Sequence, residues 1–149
     1  MRLILLTMFL IVTGWAANAQ SAKKHSAVVN ATEKSGTASF YHDRFEGRPT
    51  ATGETFDNGD YTAACNKLKL GTYVKVTNLV NGTFVYVRIN DRMSPNNKRL
   101  IDLASVAADQ LGFKDLGLTK VKVEIVPLIE GQMGILAQKE VFSDRKDKL

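Results

Sequence analysis

The stretch 72–90 constrains the fold more than any other: two runs alternating apolar and polar residues, 72–78 and 83–90, flank an Asn81-Gly82 turn. A period of two gives each strand one buried and one wet face. Asn-Gly is well suited to the positive φ values of a two-residue hairpin turn. Pairing outward from that turn sets Val80 against Thr83, Asn78 against Val85, Val76 against Val87 and Val74 against Ile89, with one apolar face toward a core. A third run, 119–126, alternates likewise, with Val121, Val123 and Ile125 inward and Lys120, Lys122 and Glu124 outward, and Pro127 ends it. Residues 102–112 predict a short helix, with Asp102 or Ser105 capping its first amides and Gly112 in the left-handed position past its end.

The N-terminus predicts export. Met1 and Arg2, the apolar run 3–12 and the small-x-small site Ala17-Asn18-Ala19 read as a signal peptide over residues 1–19, with the mature chain starting near Gln20. The run is too short to span a bilayer, and no cysteine lies at the cleavage site to take a lipid. The expected location is therefore periplasmic or secreted, with no integral membrane anchor and not as a lipoprotein. Residues 20–35 read as a flexible leader, 36–128 as one folded domain and 129–149 as a C-terminal tail, mixed in charge and disordered or frayed from 139 onward. The single cysteine, Cys65, excludes a disulfide within the chain, so stability rests on packing. A formal charge of +5 suits a carboxylate-rich partner and equally a plain solvated surface. Export, and the lack of a basic stripe interleaved with aromatics, argue against nucleic acid. The residues call for neither a metal nor an organic cofactor.

Between residues 36 and 112 six motifs follow in order: GTASFY, GRPTATGETFD, TAAC, YVKVTNLVNG, VRINDR and RLIDLA, the last running into the predicted helix. In these the chain resembles the core of the RlpA-like (rare lipoprotein A) double-psi β-barrel family. The resemblance implies a mainly β fold, a six-stranded double-psi β-barrel with one or two short helices, in an envelope protein acting on peptidoglycan. It further implies a lytic transglycosylase of the septal-ring type, cleaving glycan strands without water to 1,6-anhydro-muramyl products, preferring peptide-free strands and working among cell-division proteins. One position departs from the pattern: where the family usually has a histidine after TAA, this chain has Cys65. That departure sustains a rival reading, a catalytically silent peptidoglycan-binding or wall-loosening module resembling the first domain of expansins. A barwin-like protein is a weaker match, because such domains generally rely on disulfides.

Breaking a glycosidic bond needs an acid for the departing oxygen and stabilisation of the charge that grows on the sugar ring. A lytic transglycosylase manages with one carboxyl group, because the substrate's own muramyl 6-hydroxyl attacks and the same carboxylate takes its proton. Asp91 matches the aspartate of the family's NDR motif, which implies this role. Its parity with Val85, Val87 and Ile89 aims it toward the barrel's inner side, where burial raises a carboxyl pKa; the plainer reading is a turn carboxylate beside Arg92. Glu54 matches the glutamate of the family's GExYD element, part of the polar cleft, and is otherwise an exposed loop residue. Asp102 matches the groove aspartate of the RIIDLS-like motif and is also a helix cap. Tyr41 is the candidate sugar-stacking platform, while Phe40, Phe45 and Tyr61 suit the core. Arg48 and Arg92 are candidates for holding lactyl carboxylates, or ordinary surface charges. Cys65, at the family's histidine position among the substrate contacts, reads on its own chemistry as a small buried hydrophobe. Neither His25 nor His42 is spaced to make it a nucleophile.

Overall fold

The computed structural model describes residues 32–146, so the expected signal peptide and most of the expected leader lie outside the described residues. Six strands, β1 (Glu33–Phe40), β2 (Thr62–Ala64), β3 (Tyr73–Asn78), β4 (Phe84–Asp91), β5 (Ile101–Leu103) and β6 (Thr119–Ile125), close into a barrel in the order β1-β5-β2-β4-β3-β6. The pairs β1–β5 and β2–β4 are parallel and the other four antiparallel, giving the mixed six-stranded barrel that the motifs imply. β1 begins at Glu33, inside the stretch read as leader, because its first residues pair with Lys122, Val123 and Glu124.

Alternation fills the interior. Val74, Val76, Val85, Val87, Ile89, Ile101, Leu103 and Val121 have no exposed surface, and burying a side chain of this size stabilises a fold by roughly 1.5–3 kcal/mol. Ile125, expected inward, is 39% exposed at the last position of β6.

The β3–β4 register differs from expectation by two residues: Val74 faces Val87 and Val76 faces Val85. The connection is longer than Asn81-Gly82 because its asparagines are committed elsewhere. Asn78 Nδ2 and Asn81 Nδ2 both donate to the Leu111 carbonyl (2.9 and 3.0 Å), and the Leu79 amide donates to Lys120 O (2.9 Å). An even shift preserves parity, so the same valines stay inside.

The helix α1 (Ser105–Gln110) closes one end of the barrel through buried Ala107 and Ala108, with Leu111 and Phe113 following it into the core. Neither Asp102 nor Ser105 caps it. The N-cap residue is Ala104, and Asn58 serves the first amides instead, its Oδ1 accepting from Ser105 N (3.1 Å) and its carbonyl from Val106 N (3.0 Å). Asp102 is engaged within β5, two residues before the cap. Gly112 does take the positive φ (70°) expected after the helix end.

The C-terminal stretch expected to fray forms a 19-residue helix, α2 (Leu128–Lys146), packed on the outside of β3 and β4. Gly131 and Gly134 let it approach closely. A Cβ added there would come within 2.4 Å of Tyr73 and 2.3 Å of Tyr86, respectively. Gln138 then fills a gap in the sheet. β2 reaches β4 only from Arg88 onward, and at Tyr86 the side-chain amide of Gln138 takes the missing strand's place, accepting from Tyr86 N (2.6 Å) and donating to Tyr86 O (2.9 Å). No helix among the described residues is long and apolar enough to cross a membrane.

Candidate functional site

Strand pairing assembles the site. Ala64 of β2 stands opposite Asp91 of β4 on one side and Asp102 of β5 on the other, and Asp102 stands opposite Ser39 of β1. Ser39, Asp102, Ala64 and Asp91 thus form one rung across four strands. At about 4.8 Å per strand, the two aspartate backbones lie roughly 10 Å apart across a single methyl group.

Asp91 does not continue the inward parity of Val85, Val87 and Ile89. The β2–β4 register steps from Ala63↔Ile89 to Ala64↔Asp91, leaving Asn90 as an extra residue on β4. A bulge of this kind turns the next side chain to the other face. Asp91 therefore shares the outer side with Ala64 and Asp102, over a small second cluster of Tyr41, Phe56, Met93 and Ala104.

Three donors hold the Asp91 carboxylate. Tyr41 Oη donates to Oδ2 (2.7 Å), and the backbone amides of Ala51 (2.9 Å) and Arg92 (2.8 Å) donate to Oδ1. All three bonds have Asp91 accepting, which fixes the direction of its carboxyl group. Asp102 is held differently. It accepts one bond, from Ser39 Oγ (2.7 Å), and burial pushes its carboxyl above the usual range, with the negative charge of Asp91 adding to the rise and Ser39 and Arg99 opposing it. Tyr41, expected as a stacking platform, sits in the cleft with its ring packed among other aromatics. The residue lines the cleft but is only 8% exposed, with its ring clamped against Phe56 (centroids 4.2 Å apart) and Phe45 (5.8 Å), and burial and the Asp91 bond keep its hydroxyl protonated as a fixed donor.

Around the rung opens a cleft of about 630 Å³, lined by both aspartates, by Arg44, Arg48, Arg92 and Arg99, and by His42. Arg44 and Arg48 lie over the Phe45 ring at 5.1 and 5.3 Å, and Arg92 Nη1 donates to the Cys65 carbonyl. The basic lining outnumbers the carboxylates, so the cleft suits an anionic ligand. Among the described residues no group of three or more His, Cys, Asp or Glu side chains is placed to hold a metal.

Two expected site residues lie elsewhere. Glu54 is outside the cleft lining and engages Arg88 through two parallel bonds (2.9 and 2.7 Å) and Asn90 Nδ2 (3.1 Å); these bonds hold its carboxyl below the usual range. Cys65, expected among the substrate contacts, is outside the cleft lining: it has no exposed surface and its thiol packs in the barrel core. Ser39, Ala64, Arg44, Arg99 and His42 were not singled out as site residues from the sequence. For Ser39 and Ala64 the missing information was strand register, which local pattern does not carry. Two further grooves, of about 320 and 490 Å³, run along either side of α2 and are mainly apolar. Neither gathers the paired carboxyl groups found on the rung.

The lytic transglycolase family (DPBB_1) matches residues 33–123. Among curated relatives, the endolytic peptidoglycan transglycosylase RlpA of Neisseria meningitidis is 42% identical over 114 residues, covering 76% of this chain and 47% of that one. The protein of the same name from Pseudomonas aeruginosa is 51% identical over 89 residues, 60% of this chain and 26% of that one. The chain thus spans about half the length of the first relative and about a quarter of the second. Among solved structures, a Streptomyces papain inhibitor superposes with a TM-score of 0.52 at 23% identity, covering 64% of this chain and 94% of that one. An expansin from Clavibacter michiganensis gives 0.51 at 20% identity, over 64% and 51%. At such identities these two speak to the fold alone.

Proposed function

This chain belongs to the lytic transglycolase family, and from that premise we propose that it is an endolytic peptidoglycan transglycosylase working in the envelope, cutting glycan strands at the Asp91–Ala64–Asp102 rung to leave 1,6-anhydro-muramyl ends. The observation that carries the reading is that rung: two carboxyl groups of unlike surroundings, separated by one methyl, on the floor of a basic cleft. Asp91, oriented by three donors, protonates the departing glycosidic oxygen and then takes the proton of the muramyl 6-hydroxyl as it closes on the anomeric carbon. Asp102, across the rung, is made reluctant to ionise by burial and by the neighbouring charge of Asp91.

The arginines set the choice of strand. A muramyl unit stripped of its peptide exposes a lactyl carboxylate, whereas a substituted one has that group tied up as an amide; Arg48 and Arg92 are placed in the cleft to take the free acid. Strands without stem peptides are therefore the preferred substrate. Digesting purified sacculi, with and without prior amidase treatment, and reading anhydro-muramyl products by mass spectrometry tests both statements. Products containing reducing-end muramic acid would replace the mechanism with hydrolysis. The rival, a module that binds strands without turnover, draws on the buried thiol of Cys65 in place of an imidazole. Retention on sacculi with no product of either kind would establish it.

A further inference from the structure

We propose that Glu54 and Arg88 form a clamp outside the cleft that, through the hairpin of residues 48–56, fixes the Ala51 amide and hence the Asp91 carboxylate. Both are positioning residues for the reaction proposed above, and the inference rests on that reading.

The hairpin is a self-contained unit. Phe56 N donates to Arg48 O (2.8 Å), Thr50 N to Glu54 O (2.8 Å) and Gly53 N to Thr50 O (2.9 Å), with Pro49 bridging to Thr55. Its tip meets β4 on two sides of the bulge. On the cleft side Ala51 N reaches Asp91 Oδ1, and beside it Thr52 N reaches Asn90 O (3.2 Å). On the far side the Glu54 carboxylate is gripped by both terminal nitrogens of Arg88 and by Asn90 Nδ2. Arg88 in turn is part of the closed barrel, since its backbone pairs with Thr62 and Tyr73.

Magnitudes argue for geometry over stability. The Glu54 and Arg88 side chains are 44% and 26% exposed, and a pair this open adds little to folding stability. A two-pronged guanidinium–carboxylate contact, however, fixes direction as well as distance. Displacing one Asp91 donor by about 1 Å is enough to cost up to 100-fold in rate.

The test uses the exported form of the full chain with Arg88→Met, Glu54→Gln and the double variant. Expected are a fall in kcat of about tenfold for each single change with KM moving less than about twofold, and a double variant about as slow as the worse single one. The Ala51 amide proton should move upfield and exchange faster in all three, while core β-strand amides stay in place and the pH–rate profile keeps its shape. Arg88→Lys should recover part of the rate. A Glu54→Gln enzyme that is dead beside an Arg88→Met enzyme at full speed would overturn the clamp, assigning Glu54 to the chemistry itself. An Ala51 amide unmoved in every variant would overturn it as well. If the unmodified protein releases no anhydro-muramyl product, the transglycosylase reading fails, and the Ala51 amide alone then decides for or against the clamp.

Discussion

The same strand edge is finished in two opposite ways along β4. Near its middle, where β2 has not yet begun, Gln138 of α2 supplies a side-chain amide to both backbone groups of Tyr86 and the edge is closed. At its end, where β2 is paired, the Asn90 bulge turns Asp91 outward and the edge opens into a cleft. The first region spends its hydrogen bonds on holding an added helix, and the second on aiming a carboxylate. Variants in the first should therefore change stability and spare turnover, and variants in the second should do the reverse.

The largest effect is expected from Asp91→Asn, which should lower anhydro-product release by about 10²–10⁴-fold, the usual worth of a positioned acid or base. Its unfolding midpoint should stay near that of the unchanged protein, since the side chain lies at the surface of the cleft. Unaltered product yield would remove Asp91 from the mechanism and dissolve the contrast. Next comes Gly134→Ala on the closed region. A methyl group pressed into the Tyr86 ring should cost about 1–3 kcal/mol, read by urea denaturation, while the rate per folded molecule is unchanged. A drop in rate without a drop in stability would show that the helix and the cleft are coupled.

A smaller effect is expected from Asp102→Asn. A carboxyl whose folded pKa is raised favours the folded state fully below the ordinary carboxyl range and loses that contribution as pH climbs through the raised value. The asparagine variant should therefore melt higher than the unchanged protein at pH 7 and level with it near pH 3. A melting difference independent of pH would assign the effect to something other than ionisation. The smallest concerns Cys65: its enclosed thiol should resist alkylation in the folded protein and react only on unfolding. Rapid labelling with loss of activity would place the thiol in the cleft after all.

The barrel and its inward valines are legible because alternation and parity survive small errors. The two-residue slip in the β3–β4 register left Val74, Val76, Val85 and Val87 inside. The orientation of Asp91 was not legible, because one extra residue at Asn90 reverses parity and only the pairing partner reveals it. The second helix was hidden for a related reason. Gly131 and Gly134 read as helix-weakening, roughly 1 kcal/mol each against alanine, yet both are required by the rings of Tyr73 and Tyr86. Arg88 looked like one more outward residue on an alternating strand; its significance depends on Glu54, 34 positions earlier. Motif likeness located the cleft. It also put Glu54 there, whose pairing with Arg88 sets it outside the lining.

The order of strands in the barrel has a consequence for how the chain acquires its shape. β1 is flanked by β5 and β6, the last two strands to be made, and Ser39 meets Asp102 across 63 residues. β1 therefore has no partner until β5 and β6 have been made, although β3 and β4 can already pair with each other. Contacts of such long separation make folding slow, and a chain emerging from the ribosome stays open until β6 arrives. The rung of Ser39, Asp102, Ala64 and Asp91 draws on β1, β5, β2 and β4, so the site itself comes into being only once β5 has been made.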